Sequence, residues 1–338
     1  MEMNTLQPGR ATRKMGEVPL ITIGITCFNA KDTIRRSVES AAQQHWPIKE
    51  IIVVDDASSD ESWDALRELQ GRNSELRIIR HDVNRGYPSA LNTIIREAAG
   101  EVIAIFDDDD FSLPQRLRQQ WERIINYERA HNCNLVLCYS NRKVVKRGSN
   151  GSQHIAHAIG RRAPEPYGRA VADYLFGHGN DAFFVWGMFG SCTLMARRDA
   201  FLSVGAFDEG FRRCAEWDFA VRAAFMGAHF IAVDDPLVTQ YKTPGSEKAG
   251  SVPLIYALKL REKHKEYLTH NRVYWASRAI AHSRFHGNKQ RFLKTYFFLT
   301  LACIAAPGIL IAKLKRRLGT APSQHMQKRG LQPKPRQA

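Results

Sequence analysis

The chain has 338 residues, 44% of them hydrophobic and 25% charged, with a formal charge of +15. That composition excludes a disordered or fibrous chain and suffices for one large domain plus an extension, or for two domains. The positive balance implies attraction to anions, but nucleic acid, anionic lipid and phosphorylated small molecules all qualify.

Residues 1–17 read as a polar leader, without the apolar core of a signal peptide. Leu20 to Thr26 (LITIGIT) is rich in β-branched residues and reads as a buried strand running into a loop at Asn29. Asp32 is placed to cap a helix over Thr33 to Gln44. Ile51 to Val54 is a short, fully apolar run, as expected of a central parallel strand, and leads into DDASSD. A helix over Ser62 to Gln70, a strand over Arg77 to Arg80 and a helix over Ala90 to Ala98 follow. Val102 to Phe106 is the next strand, Pro114 suits the first turn of a helix reaching Ala130, and Leu135 to Tyr139 is another strand. Such alternation predicts a parallel sheet with helices on both faces, and ligands then sit beyond the carboxyl ends of the strands.

The alternation stops after Tyr139. Lys146 to Arg169 is rich in Gly, Pro and Arg and reads as a long loop. Ser191 to Ala196 is expected to be a strand, Trp217 to Met226 a helix and His229 to Val233 a strand, with a helical, basic pattern from Pro253 onward. The six cysteines contain no C-x-x-C pair and fit reduced thiols in a cytosolic protein better than a zinc site or disulfide framework.

Three predicted strands end in polar signatures: Thr26-Cys27-Phe28-Asn29, Asp55-Asp56 and Asp107 to Asp110. They are expected to converge on one crevice. Phe28 is suited to stack on a base, and Thr26 and Asp56 to hydrogen-bond a base edge or ribose hydroxyls. The bland reading, a turn and a helix cap, accounts for Ser59 and Asp60 better than for Asp55 and Asp56. The carboxylates of Asp107 to Asp110 repel one another and need water or a cation. Taken alone they make a solvated acidic turn. At a parallel strand end they suit Mg²⁺ or Mn²⁺, which bind carboxylate and phosphate oxygens together. Arg85 offers planar donors to phosphate, although by itself Asn84-Arg85-Gly86 is an ordinary loop. Transfer to a hydroxyl also needs a general base. CAEWDF puts Glu216 and Asp218 near a helix start, two residues apart and so on different faces, which makes one catalytic and the other structural.

Together these segments resemble the family 2 glycosyltransferases, the inverting group with a GT-A fold. The resemblance runs from about Val18 to Tyr241 through ITCFNAKDTIRRSVESAAQQ, VVDDASSD, NRGYPSALN, IFDDDDFSLPQRL and VGAFDEGF…AEWDFAVRA. It implies an open, mostly parallel twisted α/β sheet with helices on both faces and a helical C-terminal extension. Thr26, Phe28, Asn29, Asp56, Arg85 and Asp107 then fall to the nucleotide, usually of a uridine type. Asp107 and Asp109 match the D-x-D pair, with Asp109 the direct ligand of Mg²⁺ or Mn²⁺. Asp108 and Asp110 are neighbours expected to tolerate substitution better. Glu216 falls where the family places its base, with Asp218 as rival. Three departures stand out. Leu91 replaces the family's Arg before Asn92, so diphosphate contact is sought from Arg85 or Lys242. Ala215-Glu216 replaces the Glu-Asp pair. Thr243 stands near the position of a frequent His.

The organisation implied is a leader (1–17) and a catalytic domain (18–250) with a nucleotide-sugar half (18–140) and an acceptor half (141–250). A helical, apolar and basic membrane-associating extension (251–320) and a basic flexible tail (321–338) complete it. Tyr296 to Ala312 is 17 uncharged residues, interrupted by Pro307 and Gly308 and followed by Lys313, Lys315, Arg316 and Arg317. That is short for a span and places its charges against the positive-inside tendency, so a helix or hairpin lying in the cytoplasmic leaflet is expected. The alternative is a C-terminal helix buried on the domain.

The function expected is a metal-dependent inverting transferase moving a sugar from a nucleotide sugar, of UDP type, to a hydroxyl. The acceptor would be a glycan or lipid-linked saccharide, in surface polysaccharide biosynthesis at the cytoplasmic face of the cell membrane. Trp186, in the 146–190 region, is either a sugar-stacking platform for the acceptor or a core tryptophan. A sugar nucleotidyltransferase would need a Gly-rich loop after the first strand, which ITCFNAKD lacks. A nucleic-acid-binding protein would need basic and aromatic residues interleaved on one face, and the charge here is dispersed, so no nucleic acid is expected as partner.

Overall fold

The computed structural model describes residues 18–146, 153–179, 183–242 and 250–308. The first part of the chain follows the expected alternation: β1 (Ile21–Cys27), α1 (Ile34–Ala42), β2 (Lys49–Asp55), α2 (Ser62–Gln70), β3 (Leu76–Arg80), α3 (Tyr87–Glu97), β4 (Val102–Asp107), β5 (Phe111–Ser112) and α4 (Arg116–His131). The second part holds β6 (Val136–Lys146), β7 (Gln153–Ala156), α5 (Arg169–Phe176), a 3-10 turn (Ser191–Thr193), β8 (Met195–Arg197), α6 (Arg198–Val204), α7 (Ala215–Phe225) and β9 (His229–Lys242). Four helices follow, α8 (Val252–Lys263), α9 (Lys265–His270), α10 (Tyr274–Asn288) and α11 (Phe292–Ala305).

Among the described residues the strands form one sheet in the order β3-β2-β1-β4-β8-β6-β9-β5, with β7 added to β6. β3, β2, β1 and β4 run parallel, as do β6 and β9, whereas β8 pairs antiparallel with both β4 and β6. β1, β2 and β4 are buried on both faces, which explains their unbroken apolar composition. Ile21, Ile23 and Ile25 face α1 and α2, and Ile52, Val54, Ile103 and Ile105 pack in the cluster that holds α3 and α5 to α7.

The second part of the chain departs from expectation. The expected strand over Ser191 to Ala196 is a 3-10 turn and then the short β8. The expected loop from Lys146 to Arg169 contains β7, which folds back on β6. β9 extends nine residues past Val233 through a register shift opposite Ser140 and Asn141, so its Asp234-Asp235-Pro236 break is absorbed as a bulge. The extension is also not separate throughout: Leu260, Leu268 and Tyr274 lie in the same core cluster as Phe219 and Phe230.

Candidate active site

Register fixes where the polar strand ends meet. Cys27 lies opposite Asp55, and Thr26 opposite Asp107, so the first turns after β1, β2 and β4 open at one level on one crevice. Thr26 is almost fully buried there, and Phe28 is 48% exposed at the rim.

The four acidic residues after β4 have four different environments. The Asp107 carboxylate accepts from Tyr87 Oη at 3.4 Å, and its carbonyl accepts from Ser37 Oγ at 2.8 Å. Asp108 accepts the Phe28 N–H at 3.1 Å, tying this turn to the loop after β1. The carbonyl of Asp109 accepts from the Arg36 guanidinium, leaving that residue's carboxylate half-exposed beside its neighbours. Asp110 is 3% exposed and accepts the Tyr241 N–H at 3.2 Å through Oδ1. Asp108 thus ties the acidic turn to the loop after β1, and Asp110 ties it to β9.

Burial raises the carboxyls of Asp107, Asp108 and Asp110 well above their ordinary range, and mutual repulsion raises them further, led by Asp109 at Asp107 and Asp108 and by Asp107 at Asp110. Two buried arginines oppose this, Arg116 and Arg142, each lowering Asp107. Arg116 is fully buried, donates to the Ile105 carbonyl, Ser112 Oγ and Gln120 Oε1, and lies 4.2 Å over the Phe106 ring. Arg142 is held by Gln240 at 3.0 Å. Neither stood out in the sequence, since nothing marks a helix-start or mid-strand arginine as facing the acids. The donor set suits a hard divalent cation: carboxylates crowded beyond what two arginines neutralise, with Asp110 Oδ2 lacking a hydrogen-bond partner.

Several of the residues expected at the nucleotide also bond the protein's own loops. Asn29 has a left-handed backbone (φ 50°), and its side-chain oxygen accepts the Ser59 N–H at 2.8 Å, joining the first two strand-end loops. Asp56 accepts the N–H groups of Arg85 at 2.9 Å and Gly86 at 2.7 Å, and contacts His81 Nδ1 at 2.7 Å. Its main role is to fold the 84–86 turn, although a carboxylate has about four acceptor positions and so retains one. Gly86, at φ 91°, permits that turn. Arg85 is exposed on it, and the Lys242 side chain and Thr243 lie outside the described residues.

α7 separates the two candidate bases. Glu216 is half-buried, and its charge raises Asp107 and Tyr87, so it faces the crevice. Burial raises its own pKa, against the pull of its backbone N–H and Arg213. Asp218 lies on another face and is fully buried. It meets Arg222 at 2.8 Å, Lys263 at 2.8 Å and His264 at 2.9 Å. Burial alone would raise it, yet the His264 and Lys263 hydrogen bonds and the Arg222 charge hold it at about 2. These contacts join α7 to Lys263 at the end of α8 and to His264 just after it. Asn92 has a parallel role: its side chain bonds both the carbonyl and the N–H of Phe207 at 2.9 Å, fastening the VGAFDEGF segment to α3. Trp186 is half-buried, with one face stacked on Tyr174 at 4.3 Å between ring centroids.

A parallel strand-end crevice with clustered carboxylates, with a half-buried glutamate on a helix nearby, fits a group-transfer enzyme. The chain belongs to glycosyl transferase family 2, which residues 22–199, over half its length, match. It is 35% identical over 101 residues to the UDP-Glc:alpha-D-GlcNAc-diphosphoundecaprenol beta-1,3-glucosyltransferase WfaP of Escherichia coli, 30% of this chain and 39% of that protein. It is 38% identical over 107 residues to the succinoglycan biosynthesis protein ExoO of Rhizobium meliloti, 32% of this chain and 30% of that protein. Both matches span well under half of the relative. A longer match, 24% identical across 75% of this chain and 80% of the relative, is to the amylovoran biosynthesis glycosyltransferase AmsB of Erwinia amylovora. The S. aureus TarS 1-349 structure in complex with UDP-GlcNAc aligns over 88% of both chains with a TM-score of 0.56 at 15% identity, which establishes the GT-A fold.

Proposed function

We propose that this protein is a metal-dependent inverting glycosyltransferase that moves a sugar from a UDP-sugar to a hydroxyl of a glycan or lipid-linked saccharide in surface polysaccharide assembly. The observation carrying this is the register that brings the polar ends of β1, β2 and β4 to one crevice, with Glu216 on α7 near enough for its charge to raise Asp107. The TarS structure in its UDP-GlcNAc complex and the diphosphoundecaprenol-linked substrate named for WfaP support the donor and acceptor classes.

Phe28 and Thr26 border the nucleoside, with Asp56 able to add one acceptor. Asp107 and Asp109 are the residues for Mg²⁺ or Mn²⁺, which when bound neutralises charge on the departing diphosphate. Arg142 adds a fixed positive charge from below. Glu216 takes the proton of the acceptor hydroxyl as its oxygen bonds to the anomeric carbon. The bond from that carbon to the diphosphate oxygen breaks on the opposite face, and the configuration inverts. Trp186, half-buried and stacked on Tyr174, is the candidate acceptor platform.

The test offers purified protein a panel of nucleotide sugars with Mn²⁺ and measures nucleoside diphosphate release. One donor class is expected to be consumed, and Asp109→Asn to reduce kcat/KM by about 10²- to 10³-fold, the scale of removing one preorganised charge-stabilising contact. No consumption of any donor, or unaltered turnover in Asp109→Asn, would contradict the proposal.

The same reading places the enzyme against an anionic membrane surface. Among the described residues no helix is long and apolar enough to cross a membrane. Yet α11 leaves Leu293 89%, Phe297 60% and Ile304 72% exposed, with Trp275 of α10 71% exposed. Lys289, Arg291 and Lys294 lie at the same hairpin, so an apolar surface is flanked by charges suited to anionic headgroups. Residues 309–317 of the expected segment lie outside the described residues. Leu293→Glu is expected to weaken binding to anionic vesicles by about 10- to 100-fold, since burying one leucine is worth about 1.5–3 kcal/mol. Co-sedimentation with vesicles checks this, and unaltered binding would count against α11 as the contact.

A further inference from the structure

Beneath the acidic turn lies a thiol that the proposed reaction does not use. Cys192 sits in the 3-10 turn, 2% exposed, at the floor of the crevice. One ligand atom each from Asp107, Asp110 and Cys192 lie within 4.8 Å of one another. Asp110 is 3% exposed, and its Oδ2 has no hydrogen-bond partner. A buried carboxylate oxygen left in that state is costly unless a cation reaches it. On the far side, Gln240 Nε2 approaches the sulfur at 3.9 Å, and Tyr87 and Ser191 share a 2.9 Å hydrogen bond next to Asp107. Gly190 keeps the floor open: a Cβ there would stand 2.3 Å from Arg142 Nη1 and 3.6 Å from Cys192 Sγ.

We propose that Cys192 Sγ, with carboxylate oxygens of Asp107 and Asp110, forms a deep subsite for thiophilic divalent ions of the zinc and cadmium class. It rests on the reading of the crevice as a divalent-cation site and gives that site a soft donor. Hard ions hold to the carboxylates and to phosphate oxygens, whereas thiolate favours softer ions. Binding converts the thiol to a metal thiolate and releases its proton to solvent. Because Mn²⁺ stands lowest in the affinity order of the first-row ions and Zn²⁺ well above it, trace zinc should displace manganese from this crevice.

The test is ultraviolet difference spectroscopy of the full chain titrated with Cd²⁺, which reads the sulfur-to-cadmium charge-transfer band. One equivalent is expected to produce the band in wild type and in Cys133→Ser and Cys214→Ser. It should be absent from Cys192→Ser, and Asp110→Asn should weaken the Cd²⁺ affinity by at least about 10- to 100-fold. A wild-type protein without the band, or a Cys192→Ser protein that retains it, overturns the assignment. Circular dichroism of Cys192→Ser must match wild type, and a near-isosteric serine in a 3-10 turn is compatible with that. Mn²⁺ binding, followed by electron paramagnetic resonance on the wild-type sample, reports the underlying cation site separately, because manganese held by oxygen ligands gives no thiolate band.

Discussion

Glu216→Gln is expected to lower kcat by about 10²- to 10⁴-fold with little change in the KM for donor, the loss usual for a positioned general base. The amide keeps the shape of the side chain and loses only its capacity to accept the acceptor proton. The pH profile separates this from a structural effect. Burial raises the Glu216 carboxyl above its ordinary 4.5, so wild-type turnover should fall with acidification at a pH above that value. The base is active when ionised, and protonation removes it. In Glu216→Gln that acidic limb should disappear, leaving a low rate without that inflection. Steady-state kinetics across pH on both proteins measure the difference.

Asp218→Asn should behave in the opposite way. Its carboxylate offsets Arg222, Lys263 and His264 in a fully buried position, and removing one member of a buried ionic cluster costs about 3–5 kcal/mol. Because Arg222 and Lys263 are 21% and 31% exposed, water relieves part of their stranded charge, and the lower end, about 3 kcal/mol, is expected. Urea denaturation measures the loss, while folded Asp218→Asn should retain far more turnover than Glu216→Gln. The pH dependence follows from the sign of the shift. The native carboxyl titrates at about 2 and the unfolded one near its ordinary 3.8. Its contribution to stability is complete above the unfolded value and is lost as pH falls through that window towards 2. Asp218→Asn should therefore flatten the acid-denaturation profile there. A folded, stable Asp218→Asn enzyme without turnover would make Asp218 the base.

The first half of the molecule was legible because its strands are buried on both faces and each ends abruptly in a polar residue. LITIGIT, IIVVDD and VIAIFDDDD mark both the parallel sheet and the edge of the crevice. The second half was not. β9 crosses Asp234-Asp235-Pro236 only because a bulge opposite Ser140 and Asn141 absorbs the break, and no local signal announces that. Spacing alone showed that Glu216 and Asp218 lie on different faces. What distinguishes their surroundings is Lys263 at the end of α8 and His264 just after it, from a segment read as a membrane extension. Asn29 and Asp56 stood at the expected strand ends but largely bond neighbouring loops, since any polar group near a buried turn must first satisfy backbone N–H groups. Arg116, Arg142 and Cys192 were invisible because only the tertiary fold brings them beneath the acids.

The claim at the centre of this account is that the carboxylates after β4 join a divalent ion to a nucleoside diphosphate. Calorimetric titration of UDP into the protein, with Mn²⁺ and then with EDTA in its place, tests it without knowledge of the acceptor. UDP is expected to bind in Mn²⁺ and to lose at least about tenfold in affinity in EDTA, about 1.4 kcal/mol, with Asp109→Asn in Mn²⁺ matching wild type in EDTA. Equal affinity with and without the ion in the wild-type protein would contradict the account.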